Sequence, residues 1–339
     1  MKSSFIFNFE RTGKYRLRPG PVIVFGLIGL AIFVSLEIAN RRFVEKKSFN
    51  FSSIRKWEKV KDRIELLFLG DSHFIASVGV YSAMTDTRAG VYDLSMPGNN
   101  YVQSYYLLKK HLAEMPRLKA VVLPLDLHSF SAFRSERFIF KYFWDRYMDY
   151  KEYRALGGRK IRTSFFALTL LEEETRQFRF PGEGVLGRED MLKRSRWKKD
   201  PGEKYLRAKH PRTPAQRRAE FHFKKETLFD PVMMRYFLKT LQMLKERGLI
   251  ALTLQMPVTR AYAEAAAVYV TPETLRQKVL ETPEVAGLVT QAYDYFDAFF
   301  DRDDMFKDPD HLSLSGSAIF ADDFFSRLAR DHGLEFPSA

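Results

Sequence analysis

The chain contains no cysteine, which excludes disulfides, thiolate metal sites and cysteine nucleophiles. The compartment stays open, because an oxidising environment permits disulfides without requiring them. No internal repeat and no low-complexity tract is present, so array and solenoid architectures are excluded. Acidic residues are in deficit, 42 Asp and Glu against 55 Lys and Arg, for a net charge of +13. That deficit is local: Arg134 to Lys225 holds 25 basic and 13 acidic residues, nearly the whole excess. Such a region is either a solvated surface or a contact for anionic headgroups, an acidic polymer or a membrane partner. No nucleic-acid recognition motif accompanies it, so nucleic acid is not an expected partner. No cofactor is implied, and no metal site either: Asp301, Asp303 and Asp304 lack histidines at ligand spacing and read as a solvated acidic turn.

Long hydrophobic runs are also scarce, with one exception. PVIVFGLIGLAIFVSLEIA, residues 21–39, has no charge between Pro21 and Leu36. As a helix it would be roughly 28 Å long, near the thickness of a bilayer core. A cleaved signal peptide should continue into small residues, whereas this run meets Asn40, Arg41 and Arg42, so an uncleaved signal anchor is expected. Lys2, Arg11, Lys14, Arg16 and Arg18 precede it, and Arg41, Arg42, Lys46 and Lys47 follow. This near balance does not set the orientation by charge.

The remaining chain, out of 339 residues, has ample length for a large α/β core. After the basic tail 1–20 and the anchor 21–39, residues 40–63 read as a polar, partly helical connector. Strands are expected at 64–69, 90–96 and 119–127, with a helix over 101–115 closed by Pro116. Strand and helix alternating at this spacing argue for βαβ units and a parallel sheet. The pattern breaks over 134–230, an aromatic and basic insertion expected to be helical at its ends and loop-like between them. Sheet logic resumes at 231–335, with a helix ended by Gly248 feeding a fourth strand over 249–258.

Two short stretches carry candidate chemistry. LLFLGDSHFIASVGV, residues 66–80, sets a buried-type strand against Gly70, Asp71, Ser72 and His73. Gly70 suits a sharp exit from the strand, and Ser72 is either a nucleophile or, with Asp71, a cap for the next helix. The carboxyl ends of parallel strands are where open α/β sheets bind ligands. Near the other end, Asp308-Pro309-Asp310-His311 precedes the last helix. A serine hydroxyl becomes a useful nucleophile when an imidazole takes its proton and a carboxylate orients that imidazole; Asp308 and His311 could supply both from one loop.

GDS after the first strand, with DxxHLSxxG before the last helix, resembles the SGNH (GDSL-like) hydrolase superfamily over roughly 64–133 and 231–330. The resemblance implies a three-layer, flavodoxin-like parallel sheet and a triad of Ser72, Asp308 and His311. It also implies an oxyanion hole from the backbone N–H groups of Ser72 and Gly98. The chain departs at the third strand, where LPLDLHSF replaces the family's Gly-x-Asn-Asp: either Asn99 or Asn100 provides the further donor, or the hole has only two donors. Asp126 and His128 either bind substrate or simply end the strand. With the anchor and the insertion, the closer resemblance is to membrane-anchored SGNH proteins that work with membrane-bound O-acyltransferases (MBOAT proteins), such as the teichoic-acid D-alanylation type and, more loosely, the alginate-acetylation type. This implies an exported catalytic domain on a bacterial inner membrane, acetylating a cell-envelope glycan beside an MBOAT partner. A membrane-anchored esterase with the same triad and a non-catalytic assembly subunit are the alternatives.

Overall fold

The computed structural model describes residues 7–9, 15–17, 19–47, 49–79, 90–132, 147–148, 151–152, 156, 213–223 and 227–334. Five strands build the central sheet: β1 (Leu66–Phe68), β2 (Val91–Asp93), β3 (Ala120–Pro124), β4 (Ile250–Gln255) and β5 (Gln291–Asp294). Their order is β2-β1-β3-β4-β5, and every neighbouring pair is parallel. This is a doubly wound order with its switch point between β1 and β3, where a crevice opens at the carboxyl ends of the strands. Among the described residues, the α-helices of five residues or more are α1 (Pro19–Lys47), α2 (Phe49–Glu58), α3 (Ser72–Ala76), α4 (Tyr101–His111), α5 (Pro214–Phe223), α6 (Pro231–Glu246), α7 (Arg260–Ala267) and α8 (Leu314–His332). A small antiparallel hairpin, β6 (Phe306–Asp308) and β7 (His311–Leu312), precedes α8.

Side chains alternate across a strand, so each strand divides its apolar residues between two layers. Leu67, Val121, Leu123 and Ala251 pack with Trp57, Leu107, Phe237 and Leu241 from α2, α4 and α6. Leu66, Phe68, Val122, Leu252 and Leu254 face the other way, onto Phe320, Phe324 and Leu328 of α8. Burying one such side chain contributes roughly 1.5–3 kcal/mol, which is why strands with almost no polar residues sit in the middle layer. Helix ends follow local chemistry. Asp230 caps α6 through the N–H groups of Val232 and Met233, with Pro231 in the first turn, and the chain leaves that helix through Gly248 at φ +66°.

Two points differ from the expectations, and the reason for Gly70 becomes specific. The helix expected over 101–115 ends at His111 and continues as a 3-10 turn, Leu112–Glu114. Gly70 is not in a left-handed conformation; glycine is needed because a Cβ there would overlap the Phe74 ring. The edge strand β5 has no counterpart among the expected strands, since of its four residues only Tyr293 is buried and it lacks an apolar signature.

The predicted anchor falls within α1, whose apolar side chains from Val22 to Leu36 are exposed, Leu27 at 61% and Leu30 at 58%. Among the described residues, no helix is long and apolar enough to cross a membrane; the side chains at 37 and 40–47 are outside that description. Most of the insertion, including nearly all of its aromatic head, also lies outside the described residues. Its carboxyl end is helical as expected, and forms α5.

Candidate active site

The crevice at the switch point is built from four places in the chain. Gly70 follows β1, and its N–H donates to Ser95 Oγ at 2.9 Å, tying the exit of β1 to the segment after β2. Asp71 then caps α3, its Oδ1 accepting from the His73 N–H at 2.9 Å. The alternatives for this turn therefore separate by residue: Asp71 does the capping, and the Ser72 hydroxyl is left for other work. Ser72 is the first residue of α3, where a backbone N–H has no acceptor within the helix.

From the opposite end of the sequence, the β6–β7 hairpin brings His311 to Ser72. His311 Nε2 lies 3.0 Å from Ser72 Oγ, and His311 Nδ1 lies 2.9 Å from Asp308 Oδ1. With Nδ1–H directed to a carboxylate, Nε2 carries the lone pair and can accept the serine proton. The hairpin is seated by Gly316 of α8, where a Cβ would collide with the Met305 carbonyl; this explains the glycine of DxxHLSxxG. Ser313 caps α8 through Gly316 N–H.

The residues expected at the oxyanion hole lie on two turns. Pro97 and Gly98 occupy the central positions of a tight turn closed by Asn99 N–H donating to Met96 O at 2.9 Å, with Gly98 at φ +70°, as a type II turn demands. Asn99, expected as an extra donor, is buried, and its Nδ2 donates to Ser104 Oγ at 3.1 Å. Asn100 is engaged too, capping α4 through Gln103 N–H. Both asparagines line a cavity of about 10 Å³ behind Asp71, room for roughly one water.

Behind the triad is a polar cluster that sequence reasoning did not assemble. His73 is held on both sides, with Nδ1 3.0 Å from Asp126 Oδ2 and Nε2 3.0 Å from Asp310 Oδ2. Asp126 Oδ1 accepts from Met256 N–H, joining the ends of β3 and β4. His128 Nε2 lies 3.3 Å from Asp71 Oδ2. Asp126 and His128 thus neither simply end a strand nor contact Ser72; they brace the residues around it. From the insertion, Arg218 Nε donates to both Asp310 oxygens, at 2.9 and 2.8 Å, and His222 stacks on His128 with ring centroids 4.1 Å apart while its Nδ1 lies 2.6 Å from Tyr262 Oη. Four of the seven histidines in the chain converge here.

Burial alone would discharge His73, but the charges of Asp126 and Asp71 and the hydrogen bonds to Asp126 and Asp310 outweigh it and raise its pKa to about 10. Burial likewise works against a charged Asp310, yet His311, His73 and Arg218 hold its carboxyl well below the usual range. The candidate ligand atoms of His73, Asp126 and His128, and of His73, Asp310 and His311, lie within 4.8 Å of one another, near enough for a cation. Hydrogen-bond geometry favours protons instead: each His73 nitrogen already faces a carboxylate oxygen, and Arg218 already supplies Asp310 with a positive charge.

Neither protein-family models nor curated proteins match this chain. A functional reading therefore rests on the geometry and on the motif resemblance.

Proposed function

We propose that the protein is a membrane-anchored SGNH-type O-acyltransferase, with Ser72 as nucleophile, His311 as general base and acid, and Asp308 as the carboxylate that orients His311. The observation that carries this reading is the continuous line from Ser72 Oγ through His311 Nε2 and Nδ1 to Asp308 Oδ1, with steps of 3.0 and 2.9 Å. In the first half-reaction, Ser72 Oγ bonds to the acyl carbon while its proton passes to His311 Nε2. The bond to the leaving group then breaks, and that group departs with the proton from Nε2. In the second half, an acceptor hydroxyl gives its proton to Nε2 and attacks the acyl carbon; the bond from that carbon to Ser72 Oγ then breaks, and Oγ takes the proton back from Nε2. The N–H groups of Ser72 and Gly98 are the proposed stabilisers of the tetrahedral oxyanion.

The nature of donor and acceptor comes from the resemblance rather than from the triad: an acetyl group, a hydroxyl of a cell-envelope polysaccharide, and an MBOAT protein as partner. The exposed apolar run of α1 from Val22 to Leu36 supports the anchor in a bacterial inner membrane, since Leu27 and Leu30 form part of a continuous apolar surface. Water as the acceptor would make the same site an esterase.

The test is intact-protein mass after exposure to a fluorophosphonate probe, in which Ser72 Oγ bonds to phosphorus and fluoride leaves. One adduct in wild type, absent from Ser72→Ala and His311→Ala, is expected. A folded wild type that takes no adduct, alone or with its membrane partner, would refute the acyl-enzyme and leave the assembly-subunit reading.

A further inference from the structure

Acyl transfer by Ser72, His311 and Asp308 has no evident need for a second histidine directly after the serine, yet His73 is among the most enclosed polar groups here, its side chain 2% exposed. A neutral imidazole has one N–H and one lone pair. With a carboxylate oxygen 3.0 Å from each nitrogen, a neutral ring would point its lone pair at an anion; an imidazolium donates to both. We propose that His73 is a lasting imidazolium that positions Asp310, so that His311 Nδ1–H is held by two carboxylates, Asp308 from the exposed side and Asp310 from the buried side.

This deepens the acyl-transfer reading and rests on it. Asp308 is an incomplete orienting group, because its side chain is 42% exposed and water competes for its oxygens. Asp310 is fully enclosed, and its Oδ1 lies 3.4 Å from His311 Nδ1. Left alone, a carboxylate at that depth would take up a proton or turn away. His73 prevents this from the sheet side, and Arg218 from the insertion side. The other groups facing His73 are Asp71 on its own turn, Asp126 after β3, the His128 ring at 4.8 Å, the His222 ring of α5 at 6.5 Å and the His311 ring at 4.7 Å. Three carboxylates, Asp71, Asp126 and Asp310, surround it, and they offset the repulsion from His311 once that residue takes the serine proton. His73 touches none of the reacting atoms, so it is a positioning residue that acts through Asp310.

Two measurements on the full-length, solubilised protein test this. Nitrogen-15 histidine spectra followed with pH should show one ring keeping both protons up to about pH 8.5. That ring should be absent from His73→Gln. In the same variant, the acid limb of the fluorophosphonate labelling rate, which follows deprotonation of His311, should move up by about one pH unit, because a fixed cation beside that ring is gone. A purely structural role would lower the rate without moving the limb. If His73→Gln does not fold, the wild-type titration alone decides, since it needs no variant. The proposal is overturned if every histidine ring has titrated by about pH 8, if added Zn²⁺ replaces a ring proton at His73, or if the limb in folded His73→Gln stays in place. A wild type that resists the probe but keeps its imidazolium would sink the acyl-enzyme reading and support the charge on His73. One that takes the probe while His73 titrates normally would sink this proposal alone.

Discussion

Helix α1 and the crevice at the carboxyl ends of β1 and β3 depart from the usual distribution of side chains in opposite directions. In α1, Val22 to Leu36 present apolar surface outward; in the crevice, Asp71, His73, Asp126, His128 and Asp310 are taken almost wholly out of solvent. Each departure is costly in water unless something compensates. For the helix a compensating medium would lie outside the chain, and under the proposed anchor a bilayer would supply it. For the crevice it lies inside, as opposite charges at hydrogen-bond distance. An uncompensated apolar surface therefore points to surroundings, while a compensated polar interior points to chemistry or to its scaffolding.

The sharpest way to break this contrast is to remove the chemistry while leaving the scaffold. Ser72→Ala or His311→Ala should lower acyl transfer or probe labelling by about 10⁴-fold or more with little change in the denaturant midpoint; equal activity would reduce the crevice to a structural feature. Next in size is the scaffold itself. Asp310→Ala strands His73 and Arg218 without their shared carboxylate and should destabilise the protein by about 3–5 kcal/mol, read from denaturant unfolding. Asp308→Ala, at an exposed carboxylate, should cost no more than about 1 kcal/mol while still slowing labelling. A comparable loss for both would erase the distinction between buried and exposed acid.

The pH dependence of stability probes the same cluster. The folded pKa of His73 is raised above its ordinary value, to about 10, so its contribution is fully present below about pH 6.5 and is lost as the pH rises through 10. Thermal unfolding midpoints should fall between pH 7 and 10, and this fall should be missing in a folded His73→Gln. For α1, replacing Leu27 and Leu30 by Arg places two charges on its outward surface, at about 2.5–3.5 kcal/mol each against insertion. The variant should shift from the membrane fraction to the soluble one; a wild type already soluble without detergent would end the anchor reading. The smallest effect expected is at the cap of α8, where Ser313→Ala should cost about 1 kcal/mol and lower activity only slightly.

Much of the site was readable because its residues lie where local rules are strong. Strands β1 to β4 are short apolar runs bounded by turn residues, and α6 announces both of its ends through Asp230-Pro231 and Gly248. Ser72, Asp308 and His311 stand at the ends of such elements, and their pairing across 239 positions was expected from the two motifs together. The engagement of Asn99 with Ser104 was not legible in the sequence, because it depends on how the turn meets α4. Edge strand β5 was missed for want of buried residues. Arg218 and His222 gave no signal at all, lying in a basic segment where arginines are common.

By itself, the sequence determined the alternation of strands and helices, the apolar helix and the identities of a serine, an acid and a histidine able to work together, since each depends on residues near one another in the chain. Only the tertiary structure decided that the second histidine, His73, is locked between carboxylates. Ser72 and His73 are adjacent in sequence, but they point to different surroundings, because Asp126 and Asp310 arrive from distant strands and loops. Those distant carboxylates, together with Asp71 on the same turn, outweigh burial and raise the pKa of the His73 imidazole.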